Sequence, residues 1–242
     1  MLDRSSAKAK LPARRRSGVS KGRDLRDEVQ EFKREVILRS ATDLFFDKGF
    51  QSTTVDEIAS AMSVSKAVVY WNFSSKGEVL EEIADRTVTK LSQCVMCIDH
   101  DRSAAKNLAE ISFRHSAIIL TNQKGVAVYL FERRHLSAAL KRKIRSQRDV
   151  LVSALAKVLD TGVRGGEFRV RDLELVAYDI ISMTTMSFDW RWHQDIQRYS
   201  PENLSLHFAE QALRLAGYVG EFPFKDGELT IDSVDTSTLG AR

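Results

Sequence analysis

The sequence predicts an all-α protein, and three observations carry that expectation. Of 242 residues only 3 are proline and 12 glycine, which leaves long stretches without a helix breaker. Apolar residues recur at three- and four-residue spacing along most of the chain, and no convincing run alternates as a half-buried strand would. Ser or Thr followed three residues later by Glu stands ahead of two of the apolar stretches, the pattern that satisfies free amides at a helix start.

Residues 1–26 hold nine Lys/Arg and two Asp, a formal +7 in a chain whose total is +4, so the remainder is −3. This segment has no hydrophobic periodicity and reads as a disordered basic arm suited to an anionic partner. From Glu28 the pattern becomes helical, with Val29, Phe32, Val36, Ile37, Ala41, Leu44 and Phe45 on one stripe and Gly49 just past the end, where a left-handed cap belongs. Thr54 and Glu57 then form a capping box opening a second helix with Val55, Ile58, Ala59 and Met62 as its inner stripe. Ser63-Val64 make a short turn, Ser65 caps a third helix over 66–73, and Ser75 with Glu78 opens a fourth that runs to about Cys97. Further helices are expected over 104–122, 126–132, 136–161, 173–192 and 201–218, the last with Pro201 at its first position. Residues after Gly220 read as loose.

Two short helices joined by a tight turn and backed by a longer one form a helix-turn-helix, whose second helix enters the DNA major groove. That helix begins Ser65-Lys66-Ala67 and continues to Tyr70-Trp71-Asn72, with Val69 and Phe73 four apart and able to pack inward. From Ile37 to Leu80 the chain resembles the DNA-binding domain of the TetR family of regulators. The resemblance rests on Ile37-Leu38, Ala41, Leu44-Phe45, Lys48-Gly49-Phe50, Thr53-Thr54-Val55, Ile58-Ala59, Val64-Ser65-Lys66, Tyr70, Phe73, Lys76 and Leu80. It implies a homodimer whose larger helical domain binds a small-molecule effector and dimerises through its last two helices. Four positions depart from the family pattern. Ser63 stands in the turn where Gly is usual, at a cost of about 1 kcal/mol if the backbone is left-handed there. Ala67, Trp71 and Asn72 stand where Gly, Tyr and His are frequent, which bears on the operator sequence rather than the fold.

The division expected is therefore a disordered basic arm (1–26), a DNA-binding domain (27–76), a ligand-binding and dimerisation domain (77–220) and a flexible tail (221–242). On the DNA side, Thr54 at the start of the second helix, Tyr70 and Lys76 are expected at phosphates. Lys66 is the candidate for a guanine edge, Asn72 for adenine or a phosphate, and Ser65, Ala67 and Trp71 complete the exposed surface of the recognition helix. On the effector side, Phe113, Tyr129, Met183, Phe188 and Trp190 are expected to line a pocket. Arg133, Arg134 and Arg191 are candidates for an anionic ligand, Arg191 being held between Trp190 and Trp192. The segment from Tyr129 to Trp192 also resembles TetR-type regulators of lipid and steroid breakdown that respond to acyl-CoA thioesters, so a thioester of that class is the effector expected.

No metal-ligand spacing, phosphate loop or nucleophile elbow is found, so no enzyme, cofactor or metal is expected. Cys94 and Cys97 have redox-motif spacing, but the end of a long helix favours a structural role. No stretch is apolar and long enough to span a bilayer, and the basic N-terminus lacks the apolar core of a secretory leader; a cytoplasmic protein with no membrane partner is expected. The reading from another class is a non-specific or architectural DNA-binding protein working through the basic arm.

Overall fold

The computed structural model describes residues 20–192 and 199–234, with side chains described over 27–189 and 199–234. Among the described residues the chain is helical throughout, with no strand. The first three helices are α1 (Ser20–Lys48), α2 (Val55–Ala61) and α3 (Lys66–Asn72), and α4 (Lys76–Gln93) leads into the larger domain. The rest follow as α5 (Ala104–Thr121), α6 (Gln123–Glu132), α7 (Ala138–Arg164), α8 (Leu173–Thr185) and α9 (Pro201–Leu215).

Helix α1 starts at Ser20 rather than Glu28, so the last seven residues of the expected arm are helical; residues 1–19 lie outside those described. Its stripe is also shorter than the spacing predicts. Val29 and Phe32 are exposed, and burial begins in earnest at Ile37 and Leu38, because the first turns of α1 meet α3 and α4 through polar side chains instead. Gly49 has φ +82° and its amide bonds the Phe45 carbonyl at 3.0 Å, the left-handed stop that ends α1.

Two cores result. One joins Ile37, Ala41, Phe45, Ile58, Val69, Phe73, Leu80 and Ile83 of the α1–α4 segment to Val128 of α6, Leu136 of the turn that follows and Leu140 of α7. The other fills the larger domain, where α5 packs along α9 and α7 along α8 around Leu108, Ile111, Phe113, Leu155, Leu159 and Ala212. Gly162 makes the α7–α8 corner possible: a Cβ there would lie 2.1 Å from the Phe168 ring.

Three further expectations change. The fourth helix ends at Gln93 and continues as a 3₁₀ turn over Cys94–Cys97. Helix α8 ends at Thr185 and also tightens to 3₁₀ over Met186–Trp192, after Thr184 has turned its hydroxyl back onto the Ile180 and Ile181 carbonyls. Residues 221–234, expected to be a flexible tail, instead dock on the larger domain. Leu229 and Val234 are buried in its core, Phe222, Phe224 and Ile231 pack beside them, Glu202 accepts the Ile231 amide at 3.1 Å, and Lys106 lies over the Phe224 ring. Apolar residues spaced through the segment supply that burial without any helical period to announce it.

Candidate nucleic-acid interface

Helix α3 is fixed from beneath and left bare on top. Val69 and Phe73 are buried, whereas Ser65, Lys66, Ala67, Tyr70 and Trp71 are exposed, Trp71 at 84%. An indole left that open in a seven-residue helix contributes nothing to this chain's core and is available to a partner. Ser65 is the α3 cap by backbone geometry, yet its side chain makes no capping bond and stays free. Ser63 takes φ +56°, so the turn does adopt the left-handed conformation that favours glycine.

Four of the expected DNA residues have partners within the chain. Asn72 is buried, its amide accepting from Gln30 Nε2 and donating to the Val68 carbonyl, both at 2.8 Å. Together with Arg34 Nη1 on the Asn72 carbonyl, these bonds tie the end of α3 to α1, and Asn72 does not share the exposed face. Lys76 points inward: its ammonium donates to the carbonyls of Phe50 and Thr53, each at 2.6 Å, and of Gln51 at 3.2 Å, and lies 4.4 Å from the Phe50 ring. It clamps the α1–α2 turn to the start of α4. Thr54 closes the capping box, accepting the Glu57 amide while Glu57 Oε2 accepts the Thr54 amide at 2.8 Å. Hydrogen bonds from Lys48 and then Thr54 hold the Glu57 carboxyl down at about pKa 2, so the start of α2 already carries an anion. Lys66 remains on the surface, paired with Asp56 at 2.8 Å, which raises its pKa; an exposed pair of this kind exchanges readily for another anion or a base edge.

Sequence reasoning missed Arg34, Arg86 and Glu132. Arg34 pairs with Glu82 and lies 4.1 Å from the Phe73 ring, and Arg86 gathers Glu31, Glu35 and Glu82, so α1 and α4 are joined by a half-buried charge network beneath α3. Glu132, the last residue of α6, accepts the Phe50 amide at 3.0 Å and ties the larger domain to the α1–α2 turn. Partners 38 to 82 residues away leave no mark on local spacing.

Of the seven expected effector residues, five have described side chains, and these are divided between the two cores and the surface. Phe113 and Phe188 are packed in the core of the larger domain, Phe188 edge-on to Phe131 at 5.8 Å. Met183 sits against both that core and the small cluster of Leu120, Leu204 and Phe208. Tyr129 is half-buried against the other core, burial raising its phenol pKa, and Arg133 is exposed in the turn after α6. The side chains of Trp190 and Arg191 lie outside those described. An open cleft of about 720 Å³ lies elsewhere, between Val95, Ile98 and Ala104 on one side and Val150, Ala154 and Val158 of α7 on the other, with His100, Arg102, Asp149 and Lys157 among its lining.

Deep in the larger domain a polar group went unread in the sequence. His115 Nδ1 lies 2.8 Å from Thr184 Oγ1, both fully enclosed, and burial alone pulls the imidazole down to about pKa 4, so it is neutral at pH 7. Ser187, equally buried, has a hydroxyl with no hydrogen-bond partner among the described residues. No cluster fit for a metal exists among the described residues. Burial raises both thiols, Cys97 to about pKa 11, which suits structural rather than redox cysteines. No described helix is long and apolar enough to cross a membrane.

Comparison with known proteins agrees with this arrangement. Residues 37–83 match the model for bacterial regulatory proteins of the tetR family, and residues 101–216 match a tetracyclin repressor-like C-terminal domain. The HTH-type transcriptional repressor KstR2 of Mycolicibacterium smegmatis is 26% identical over 165 residues, 65% of this chain and 78% of its own. A tetR-family regulator from Rhodococcus RHA1 superimposes with TM-score 0.70 at 23% identity, covering 78% of this chain and 98% of that one. AibR, solved with isovaleryl coenzyme A and operator DNA, gives TM-score 0.61 at 20% identity over 77% of this chain and all of its own. With both domains matched in order and the helix-turn-helix in place, this chain belongs to the TetR family of DNA-binding transcriptional regulators, which act as dimers.

Proposed function

We propose that this protein is a repressor that holds a near-palindromic operator as a homodimer and releases it when a bulky amphipathic anion, an acyl-CoA thioester, enters the larger domain. The observation that carries the reading is the exposed face of α3, where Ser65, Lys66, Ala67, Tyr70 and Trp71 stand clear of the core. Lys66 leaves Asp56 for a guanine edge, Tyr70 and Trp71 reach phosphates and thymine methyls, and Asn72 and Lys76 hold the geometry. Two-fold symmetry places two such helices about one turn of DNA apart. The dimer forms on the outer faces of α8, the turn after it and α9, where Leu175, Met186 and Leu215 remain exposed after the inner face of α9 has packed on α5. The repressor assignment is supported by KstR2, and the thioester by the isovaleryl coenzyme A in the AibR complex. Trp190 and Arg191, two and three residues after buried Phe188, are proposed to meet the anionic part of the effector.

The experiment is a gel-shift titration on a footprinted operator with acyl-CoAs of graded chain length, each beside its free acid. A productive thioester weakens DNA binding about five- to 150-fold, and by reciprocity the operator weakens thioester binding by the same factor. Arg191→Ala lowers effector affinity and leaves effector-free DNA binding intact. Failure of every thioester to release the DNA removes the effector class, and a monomer in sedimentation removes the palindrome. An architectural protein acting through residues 1–26 would give no sharp footprint.

A further inference from the structure

The α6–α7 corner carries a charge that nothing in the recognition helix explains. Residues 133–148 hold seven Lys/Arg and no Asp or Glu. The whole chain is +4, residues 1–26 are +7 and this stretch is +7, so everything else nets −10. A cationic block of this size on an otherwise acidic body sets up a strongly directional field. Its large apolar residues turn one way: Leu136, Leu140 and Ile144, four apart, pack on the core of the helix-turn-helix. The basic residues are thereby left on the solvent side, where Arg133, Lys141, Arg142, Lys143, Arg145 and Arg148 are exposed. Lys143 pairs with Asp85 and Arg148 with adjacent Asp149, while Arg133, Arg142 and Arg145 have no ion pair among the described residues.

The corner also sits at the DNA end of the larger domain. The His135 ring is 5.1 Å from that of Phe50 and its Nδ1 is 3.2 Å from Gln51 Nε2, three residues before Thr54. The Ser137 amide donates to Glu81 of α4 at 2.8 Å. The basic surface therefore adjoins the turn that opens α2, at the end of the larger domain that meets the helix-turn-helix. We propose that residues 133–148 form a second DNA-contacting surface, resting on the DNA-binding reading above, that grips phosphates flanking the bases read by α3. Arg142 and Arg145 contribute charge and no base recognition, so the surface adds affinity and salt dependence without altering sequence preference.

The test compares two duplexes with the same footprinted operator, one trimmed to its ends and one extended by about ten random base pairs on each side. Full-length protein should bind the extended duplex roughly tenfold tighter near 100 mM salt, and Arg142→Gln/Arg145→Gln should lose most of that gain. In the variant, which removes two arginines from each protomer of the dimer, the magnitude of the salt slope should fall by about four on the extended duplex and stay unchanged on the trimmed one. Arg142→Glu/Arg145→Glu should make the flanks unfavourable, with thermal midpoint and oligomeric state as controls for folding. Equal losses on both duplexes, or an unchanged slope, overturn the proposal. Specific binding to both duplexes with no flank effect rejects this surface and leaves the operator reading standing, whereas failure to bind either rejects both.

Discussion

The helix-turn-helix and the larger domain are held together by different means. Beneath α3 the geometry is set by polar side chains that reach across the chain: Arg34 on the Asn72 carbonyl, Lys76 on three carbonyls of the α1–α2 turn, and Arg86 among three carboxylates. Directional bonds of this kind leave the recognition helix one orientation. In the larger domain the contacts are mostly apolar, α8 changes its winding within one run, and beside the buried His115–Thr184 pair the Ser187 hydroxyl has no hydrogen-bond partner among the described residues. Apolar packing tolerates small relative displacement where a hydrogen bond does not. The contrast is that of a part that must present one shape to DNA and a part that must accommodate a ligand.

The sharpest way to break this comparison is Phe113→Ala. As a fully buried core residue, Phe113 should cost about 3–5 kcal/mol when truncated, seen as a lower urea midpoint. A near-neutral effect would make Phe113 the wall of a cavity able to collapse, as the pocket reading expected.

The next effect concerns pH. His115 has its folded pKa lowered to about 4 from 6.5, so between those values the unfolded chain binds a proton that the folded chain does not. Stability should therefore be full above about pH 6.5 and fall as pH drops toward 4, by about 3 kcal/mol in all. His115→Gln should flatten that part of the curve, which urea melts at several pH values would measure.

Lys76→Met follows. If the ammonium is the clamp described, its loss should destabilise the protein by about 1.5–3 kcal/mol and weaken DNA binding indirectly. A variant of unchanged stability with a uniform loss on all DNA sequences would restore Lys76 as the phosphate contact expected from the sequence. The smallest effect is Ser63→Gly, which should raise stability by about 1 kcal/mol by relieving the left-handed turn, read as a rise in thermal midpoint.

What was legible in the sequence follows from how far its physics reaches along the chain. The Thr54–Glu57 box, the Gly49 stop, the Ser63 turn and the starts of α2, α3 and α9 all depend on neighbours within a turn of helix, and each stands where the spacing put it. Lys76 and Asn72 were recognised as important by type, but their partners lie 23 to 42 residues away and turn both inward. The charge of residues 133–148 was in plain sight, yet only the packing of Leu136, Leu140 and Ile144 shows which way it faces. The docked residues 221–234 have no period at all, so tertiary burial alone reveals them.

That docked segment also sets the order in which the protein can be completed on the ribosome. Helices α1 to α4 close around one another early, within the first part of the chain to emerge. Helix α5, which carries much of the second core, must wait for α9 and then for Leu229 and Val234. At roughly 5–20 residues per second, the hundred-odd residues between them take about 5 to 20 seconds to synthesise. For that interval the face of α5 that meets α9 is uncovered, while the DNA-reading end needs only the chain as far as the start of α7. Chaperone dependence and aggregation should accordingly track changes near the C-terminus more closely than changes near the operator-binding face.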